Sequence, residues 1–363
     1  MRVIIVGAGV AGLALARGLL LAGHDAEVYE EAPELRTAGG SVSLWPGSTG
    51  ILEELKADYT GIGRRLETLE SWAGDGRRLL TMDLTVAERR YGHPVVHLAR
   101  SELVELLAEG VPVTFGARVE HVAPERAEAR LADGRTVRGD VLVGADGRRS
   151  VVREALWGPD RATLSSWVTW QGFTTMPTAL TEANRAVMIA GGRGLCGLIP
   201  AGRGRLLWWF DVRSAPGQPL WAGDPRVVEG LRERFGGWVE PVPGILDTIT
   251  DIDFFPHHRQ AIPAVWGKGP TTLAGDSAHT MPPTMAQGAN QALEDAWLLT
   301  RSIGDLRAYE RARSKVARRP ARLAATEMTD MQRPLAGLVP DRLVTAWYTA
   351  FLRRASNYLL TVS

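Results

Sequence analysis

The feature that most constrains this chain is its opening stretch. RVIIV (2–6) is a short β-branched run of the kind that makes a buried parallel strand. GAGVAG follows at once and sets Gly7, Gly9 and Gly12 in the G-x-G-x-x-G spacing; ALARGLLLAG continues as a helix, and HDAEVYEE gives a second strand ending at Glu30. Each part has a physical task. Gly7 permits the tight turn, Gly9 lets the backbone approach a pyrophosphate, and Gly12 lets the helix pack close to the strand. The helix N-terminus offers unpaired N–H groups and a partial positive charge to that pyrophosphate. Glu30, 18 residues after Gly12, stands where a carboxylate accepts hydrogen bonds from an adenosine ribose. The segment reads as a dinucleotide-binding strand–helix–strand unit, with NAD(P) and FAD both open at this point.

The remaining length narrows the setting. A chain of 363 residues is too long for one simple core and suits two closely joined domains. A net charge of +1 supplies no field that argues for nucleic acid or an anionic membrane. The single cysteine, Cys196, excludes an internal disulfide, a CxxC redox pair and a cysteine-based metal site, so the expected setting is cytoplasmic and no metal is expected. Arg17 and the early glycines argue against a membrane span at the N-terminus.

Three later segments bear on the cofactor. HLARSELVELLAEG (97–110) puts Arg100 just before an expected helix that Ser101 could cap. DVLVGADGRRSVVREAL (140–156) is an apolar strand followed by Asp146-Gly147 and a basic turn. GDSAHTMPPTMAQGAN (275–290) lies between a strand, TTLAG, and a helix, NQALEDAWLLTRSI. Asp276 there falls at the carboxyl edge of the sheet, where ligands of open α/β sheets bind.

Taken in order, GAGVAGL, VYEEAPELR, Arg100, GADGRRSVVR and GDSAHTMPPTMAQGANQALEDA resemble the class A flavoprotein monooxygenases, the para-hydroxybenzoate hydroxylase-like enzymes that include salicylate and urate hydroxylases and the tetracycline-inactivating oxygenases. The resemblance covers most of residues 1–160 and 265–330. It implies non-covalent FAD, with NADPH or NADH as a transient reductant that visits without its own Rossmann domain. It places Glu30, Glu31, Arg36, Ser43 and Arg100 near the adenosine and pyrophosphate, and Asp276 on the ribityl hydroxyls. The N–H groups of Gly288, Ala289 and Asn290 would face the pyrimidine end of the flavin ring, where negative charge gathers on reduction. Pro282 and Pro283 would lie along the ring, and Asp146 marks a segment linked to both FAD and NAD(P)H. Met285 and Ala286 stand where many relatives carry smaller residues or glycine.

The middle, 161–264, carries only faint echoes, such as Trp170-Gln171-Gly172, where relatives often have arginine for Gln171. Seven of twelve tryptophans fall in or just beyond it: Trp167, Trp170, Trp208, Trp209, Trp221, Trp238 and Trp266. Most read as packing. In RLLWWFDV (205–212), however, Trp208 and Trp209 must point to opposite faces of a strand, and one face should roof the flavin. Gln171, Trp208, Trp209 and Met285 are therefore the substrate-side candidates. His279 reads as bonded within its loop, and His257 and His258 as a loop before a strand. GGRGLCG (191–197) reads as a turn in a β region, with Cys196 a small packed residue. The arginines from Arg311 to Arg322 read as a solvated helix face, and the amphipathic stretch from Pro340 onward as packing on the FAD domain or a partner subunit.

The expected fold class is α/β: a Rossmann-type FAD-binding domain, an antiparallel β-sheet substrate domain and C-terminal helices. The FAD domain would be discontinuous (1–72, 92–160 and 265–330), the substrate domain would comprise 73–91 and 161–264, and 331–363 would form the helical end. The implied activity is monooxygenation of an aromatic or other electron-rich small molecule by O2, through a flavin C4a-hydroperoxide, in a monomer or homodimer. No side chain need act as nucleophile, because the flavin carries the chemistry. An epoxidase or dehydrogenase on the same cofactor, or a non-catalytic flavin-binding partner, fits the same motifs. A halogenase does not: GLCGLIP lacks the expected tryptophans, and lysines are scarce.

Overall fold

A computed structural model of the chain describes residues 1–36, 39–175, 184–213, 226–326 and 339–362. Its centre is a parallel sheet of five strands in the order Thr271–Leu273, Val141–Gly144, Arg2–Val6, Asp25–Tyr29 and Val113–Thr114. Neighbouring strands therefore come from distant parts of the sequence, and the carboxyl ends of the first three bring Gly7, Ala145 and Gly275 to one edge. Val3, Ile4 and Ile5 are fully buried, as a strand covered on both faces requires.

The second sheet has seven strands, in the order Asp253–Arg259, Thr163–Thr175, Arg205–Arg213, Gly194–Pro200, Arg185–Gly191, Thr68–Ala73 and Arg78–Asp83. It departs from the antiparallel expectation at one contact: Arg185–Gly191 runs parallel to Thr68–Ala73. No tight turn joins those two strands, which lie far apart in sequence, so nothing forces them antiparallel. GGRGLCG is the hairpin turn between Arg185–Gly191 and Gly194–Pro200. His257 and His258 belong to the edge strand Asp253–Arg259, not to a loop before it.

This large sheet has two unlike faces. One buries Trp170, Trp208, Phe210, Ile189 and Leu198 beneath the helices Arg226–Phe235 and Val242–Asp247, forming a core of its own. The other turns toward the parallel sheet's domain, against whose larger core Trp209 and Ile199 pack. Trp221 lies outside the described residues.

The C-terminal helix Asp341–Arg354 closes the sheet's far edge. Its Asp341 carboxylate accepts the Thr81 N–H at 2.9 Å, and Thr345 Oγ1 accepts the Asp83 N–H at 3.1 Å. Edge N–H groups that would otherwise invite another strand are thereby satisfied.

Candidate cofactor and substrate site

The glycine turn behaves as its spacing requires. Gly7 has φ +104°, and a Cβ there would stand 2.5 Å from the Ala145 carbonyl oxygen. A Cβ on Gly12 would collide with the Gly7 carbonyl. Gly9 differs: it is extended, it precedes the helix Val10–Leu21, and a Cβ there would meet no protein atom within 4 Å. Packing accounts for the first and third glycines and leaves the second facing space. A phosphate-sized ligand resting on the helix N-terminus is the physical reason for a bare backbone at that point. FAD fits this cradle.

Four charged side chains gather beside it. Glu30 is buried, accepting the Ala8 N–H at 2.8 Å and the Ala32 N–H at 3.0 Å, which fixes its carboxylate and leaves each oxygen a further lone pair. Arg36 approaches Glu30 at 3.6 Å and pairs with the exposed Glu31. Arg100 begins the helix Arg100–Ala108, and its side chain runs 3.5 Å from where a Gly39 Cβ would be. Burial pushes the Arg100 guanidinium below its ordinary value; Asp276 and Glu30 pull it back up, and Arg36 pushes it further down. That mutual influence puts all four groups in one neighbourhood. The expected Ser101 cap is not used. Glu102 accepts the Ala99 N–H at 3.3 Å, a longer side chain reaching back from the first turn.

Asp276 itself is exposed, at the start of the short helix Asp276–His279 just past the strand. The turn before it is fixed by Gly275, at φ +63°, whose absent Cβ would lie 2.8 Å from the Ala11 methyl. Asp146 does not point outward. Its Oδ1 accepts the hydroxyls of Ser150 at 2.6 Å and Ser277 at 3.1 Å, and burial raises its pKa despite those bonds. It ties the GADG turn to the GDSAH turn.

The loop then runs through Pro282 and a single turn, Pro283–Met285, to Ala286 at φ +48°. That is a left-handed backbone on a non-glycine residue. The helix Gly288–Arg301 follows, and the N–H groups of Gly288, Ala289 and Asn290 have no acceptor within the helix. The Asn290 side chain is structural: it accepts the Trp45 N–H at 2.9 Å and donates to the carbonyls of Ser43 at 2.8 Å and Ala286 at 2.6 Å. Ser43 thus sits under this helix end, its hydroxyl 2.8 Å from the Nδ1 of buried His97. Its side chain therefore lies between His97 and the start of the helix Gly288–Arg301.

Across the cleft stands the sheet face that carries Trp209. Its ring lies flat over Gly197, where no Cβ could fit. Gln171 pairs with Trp209 in register, and its amide lies against the Gly40 backbone. Trp208, fully buried over Gly172, belongs to the opposite face, so it lies away from the cleft. Met285 is half-buried against the FAD-side core. Two residues along from Trp209, Asp211 accepts from the Thr169 hydroxyl at 2.5 Å, and that oxygen lies 2.7 Å from His257 Nε2. Thr169 has one proton and gives it to Asp211, so His257 donates; burial and neighbouring Arg259 hold it neutral, at a pKa of about 4.

One residue, Asp295, has no reading in the sequence, and another, Arg313, reads there as solvated. Asp295 and Arg313 are both fully buried and 2.6 Å apart, and His279 Nε2 lies 2.6 Å from Asp295. Arg313 thus departs from the solvated face expected of its helix, Leu306–Ala325. The signal was available in LEDAW, where two acids interrupt an otherwise apolar helix face. Among the described residues there is no cluster of metal-ligating side chains and no helix long and apolar enough to cross a membrane.

Residues 1–320 match the family described as FAD binding domain. The chain is 31% identical over 344 residues to the FAD-dependent urate hydroxylase of Mycolicibacterium vanbaalenii, covering 87% of this chain and 85% of that one. It is 32% identical over 321 residues to a 3-amino-4-hydroxybenzoate 2-monooxygenase of Streptomyces platensis, covering 84% and 79%. It is 30% identical over 368 residues to the aurachin C monooxygenase/isomerase of Stigmatella aurantiaca, covering 97% and 91%. In fold it is similar to Klebsiella pneumoniae HpxO complexed with FAD and uric acid, with a TM-score of 0.88 at 23% identity over 98% of this chain and 97% of that one.

Proposed function

We propose, because the chain belongs to the FAD binding domain family of class A flavoprotein monooxygenases, that it uses NAD(P)H and O2 to hydroxylate a planar aromatic or similarly electron-rich small molecule. It is an FAD-dependent monooxygenase. The observation that carries the substrate side is the pairing of two unlike walls. One wall is a backbone cradle with the buried Glu30 carboxylate and Arg100; the other is a sheet face on which Trp209 lies flat beside the Gln171 amide. The relatives' names, which include a urate and an aminohydroxybenzoate, are those of planar ring compounds.

Bound FAD, once reduced, supplies the activation of O2 and the transfer of one oxygen atom. The chain supplies the rest. The N-terminus of Val10–Leu21 and Arg100 take the pyrophosphate charge, and Glu30 and Asp276 accept hydroxyls of the two sugar parts. The free N–H groups of Gly288, Ala289 and Asn290 favour negative charge on the ring. Trp209 and Ile199, the apolar part of that sheet face, would shed water near the ring, which protects oxygen transfer from wasteful breakdown. The seven-stranded sheet forms the substrate side of this division; its strand Thr68–Ala73 crosses the boundary expected at 72/73, so residues from 68 on belong with 73–91 and 161–264, opposite a cofactor side of 1–67, 92–160 and 265–330.

The test is anaerobic mixing of the FAD-loaded protein with NADH or NADPH, alone and with a panel of phenols, purines and polycyclic aromatics, following the loss of flavin colour. Strong acceleration by one compound identifies the substrate class. Fast bleaching with no compound removes the substrate gate from this reading. No bleaching under any condition removes NAD(P)H from it.

A further inference from the structure

One arginine of the run 311–322 is shut away from solvent. Arg313 donates from Nε to Asp295 Oδ1 at 2.6 Å, from Nη1 to Asn357 Oδ1 at 2.8 Å, and from Nη2 to the Oε1 and carbonyl of Gln291 at 2.8 and 3.1 Å. Four of its five N–H groups are engaged. Asp295 answers with its other oxygen, which accepts the Gly275 N–H at 2.7 Å and stands 2.6 Å from His279 Nε2. Burying a charge is costly unless it is paired and hydrogen-bonded, so this arrangement serves a specific end.

Two chains of contact lead from the pair to the cofactor cradle. Asp295 holds the peptide N–H immediately before Asp276. Arg313 holds Gln291, whose amide donates at 3.0 Å to Gln287, the residue before Gly288. The pair therefore fixes both the turn that presents Asp276 and the first turn of the helix whose N–H groups face the ring. Asp295 lies seven residues along that helix from Gly288, about 10 Å of axial rise. At an effective dielectric of about 20, one unbalanced charge at that range changes the relative affinity for reduced and oxidised flavin on the order of tenfold.

We propose that Asp295 and Arg313 are positioning residues of the flavin site, which aim the Asp276 turn and the Gly288 helix end at the cofactor while cancelling each other's charge. This rests on the ring lying at that helix end. Neither residue touches the cofactor.

The experiment compares full-length Arg313→Gln, Asp295→Asn and the double variant with the parent protein, reading FAD dissociation and the two-electron midpoint potential of the bound flavin. Both single variants should bind FAD about tenfold more weakly. Their potentials should move in opposite directions, Arg313→Gln down and Asp295→Asn up, each by about tenfold in the redox equilibrium or about 30 mV. The double variant should return close to the parent potential. Shifts of the same sign, or none in FAD-loaded protein, overturn the proposal. Should a single variant fail to fold, Arg313→Lys keeps the charge and loses the fork. It should weaken FAD binding with the potential unchanged, and an unchanged affinity overturns the proposal. Asp276→Asn tests the underlying placement separately: undiminished FAD affinity in that variant removes the placement, whatever the buried pair does.

Discussion

The cofactor cradle and the substrate sheet differ in which atoms do the recognising. In the cradle it is the backbone: Gly9 opens onto space, whereas Gly7 and Gly12 are bare because protein lies against them. On the sheet, side chains do, and only those of one face. Trp208 and Trp209 are adjacent, chemically identical and each laid over a glycine, Gly172 and Gly197, yet one is core and the other cleft. Backbone recognition forces residue types; side-chain recognition on a sheet forces only a parity. A cofactor shared by many proteins can therefore leave a legible trace where a substrate does not.

The sharpest way to break this contrast is to truncate the two tryptophans. Trp208→Ala should cost about 3–5 kcal/mol of stability, the usual price for emptying an aromatic site in a closed core. Trp209→Ala, half-buried, should cost about 1–2 kcal/mol and instead alter which aromatic compound accelerates flavin reduction. Equal losses of stability in chemical denaturation would mean that the two faces are not distinct. The glycines give a second, smaller separation. Gly12→Ala should destabilise the apoprotein by about 1–3 kcal/mol through its clash with the Gly7 carbonyl. Gly9→Ala should leave apoprotein melting within about 0.5 kcal/mol of the parent and still weaken FAD binding measured by fluorescence quenching. A Gly9→Ala protein that binds FAD normally would remove the cofactor as the reason for that glycine.

The parts legible in the sequence follow the same division. The strand–glycine–helix unit, Glu30 and the Asp276 turn could be read because few residue types satisfy a positive φ, a close approach or a fixed carboxylate. The sheet's existence could be read from its alternation, but not which tryptophan faces inward, since that depends on what each face meets. His257 was misplaced because Pro256 and Arg259 beside a histidine pair look like loop chemistry, whereas the edge of a strand tolerates proline. Arg313 was misread because helical arginines at regular spacing signal solvent unless the partner acid, on another helix, is known. Ser43's contacts to His97 and Asn290 depend on segments far along the chain, so they could not be read locally.

Each half also buries one neutral histidine, which makes the comparison testable by pH. Burial drives His97, on the cofactor side, down to about 3, and burial with Arg259 and His258 drives His257, on the sheet, down to about 4. Unfolded, both titrate near 6.5. Below that value the unfolded chain takes up protons that the folded chain refuses, so the stability these residues allow is complete above pH 6.5 and lost as pH falls toward the folded values. The slope should approach about 1.4 kcal/mol per pH unit for each histidine. Asp146 and Glu294 work in the opposite sense, since burial raises them and the folded chain then binds protons more readily. His258, also lowered by burial, adds to the same fall below pH 6.5. Urea unfolding of the parent should show stability falling as pH drops below 6.5, and His257→Gln should show a shallower fall with FAD binding intact. A His257→Gln slope equal to the parent's would mean that the sheet's polar cluster is hydrated, leaving His97 and the cofactor half as the acid-sensitive part of the molecule.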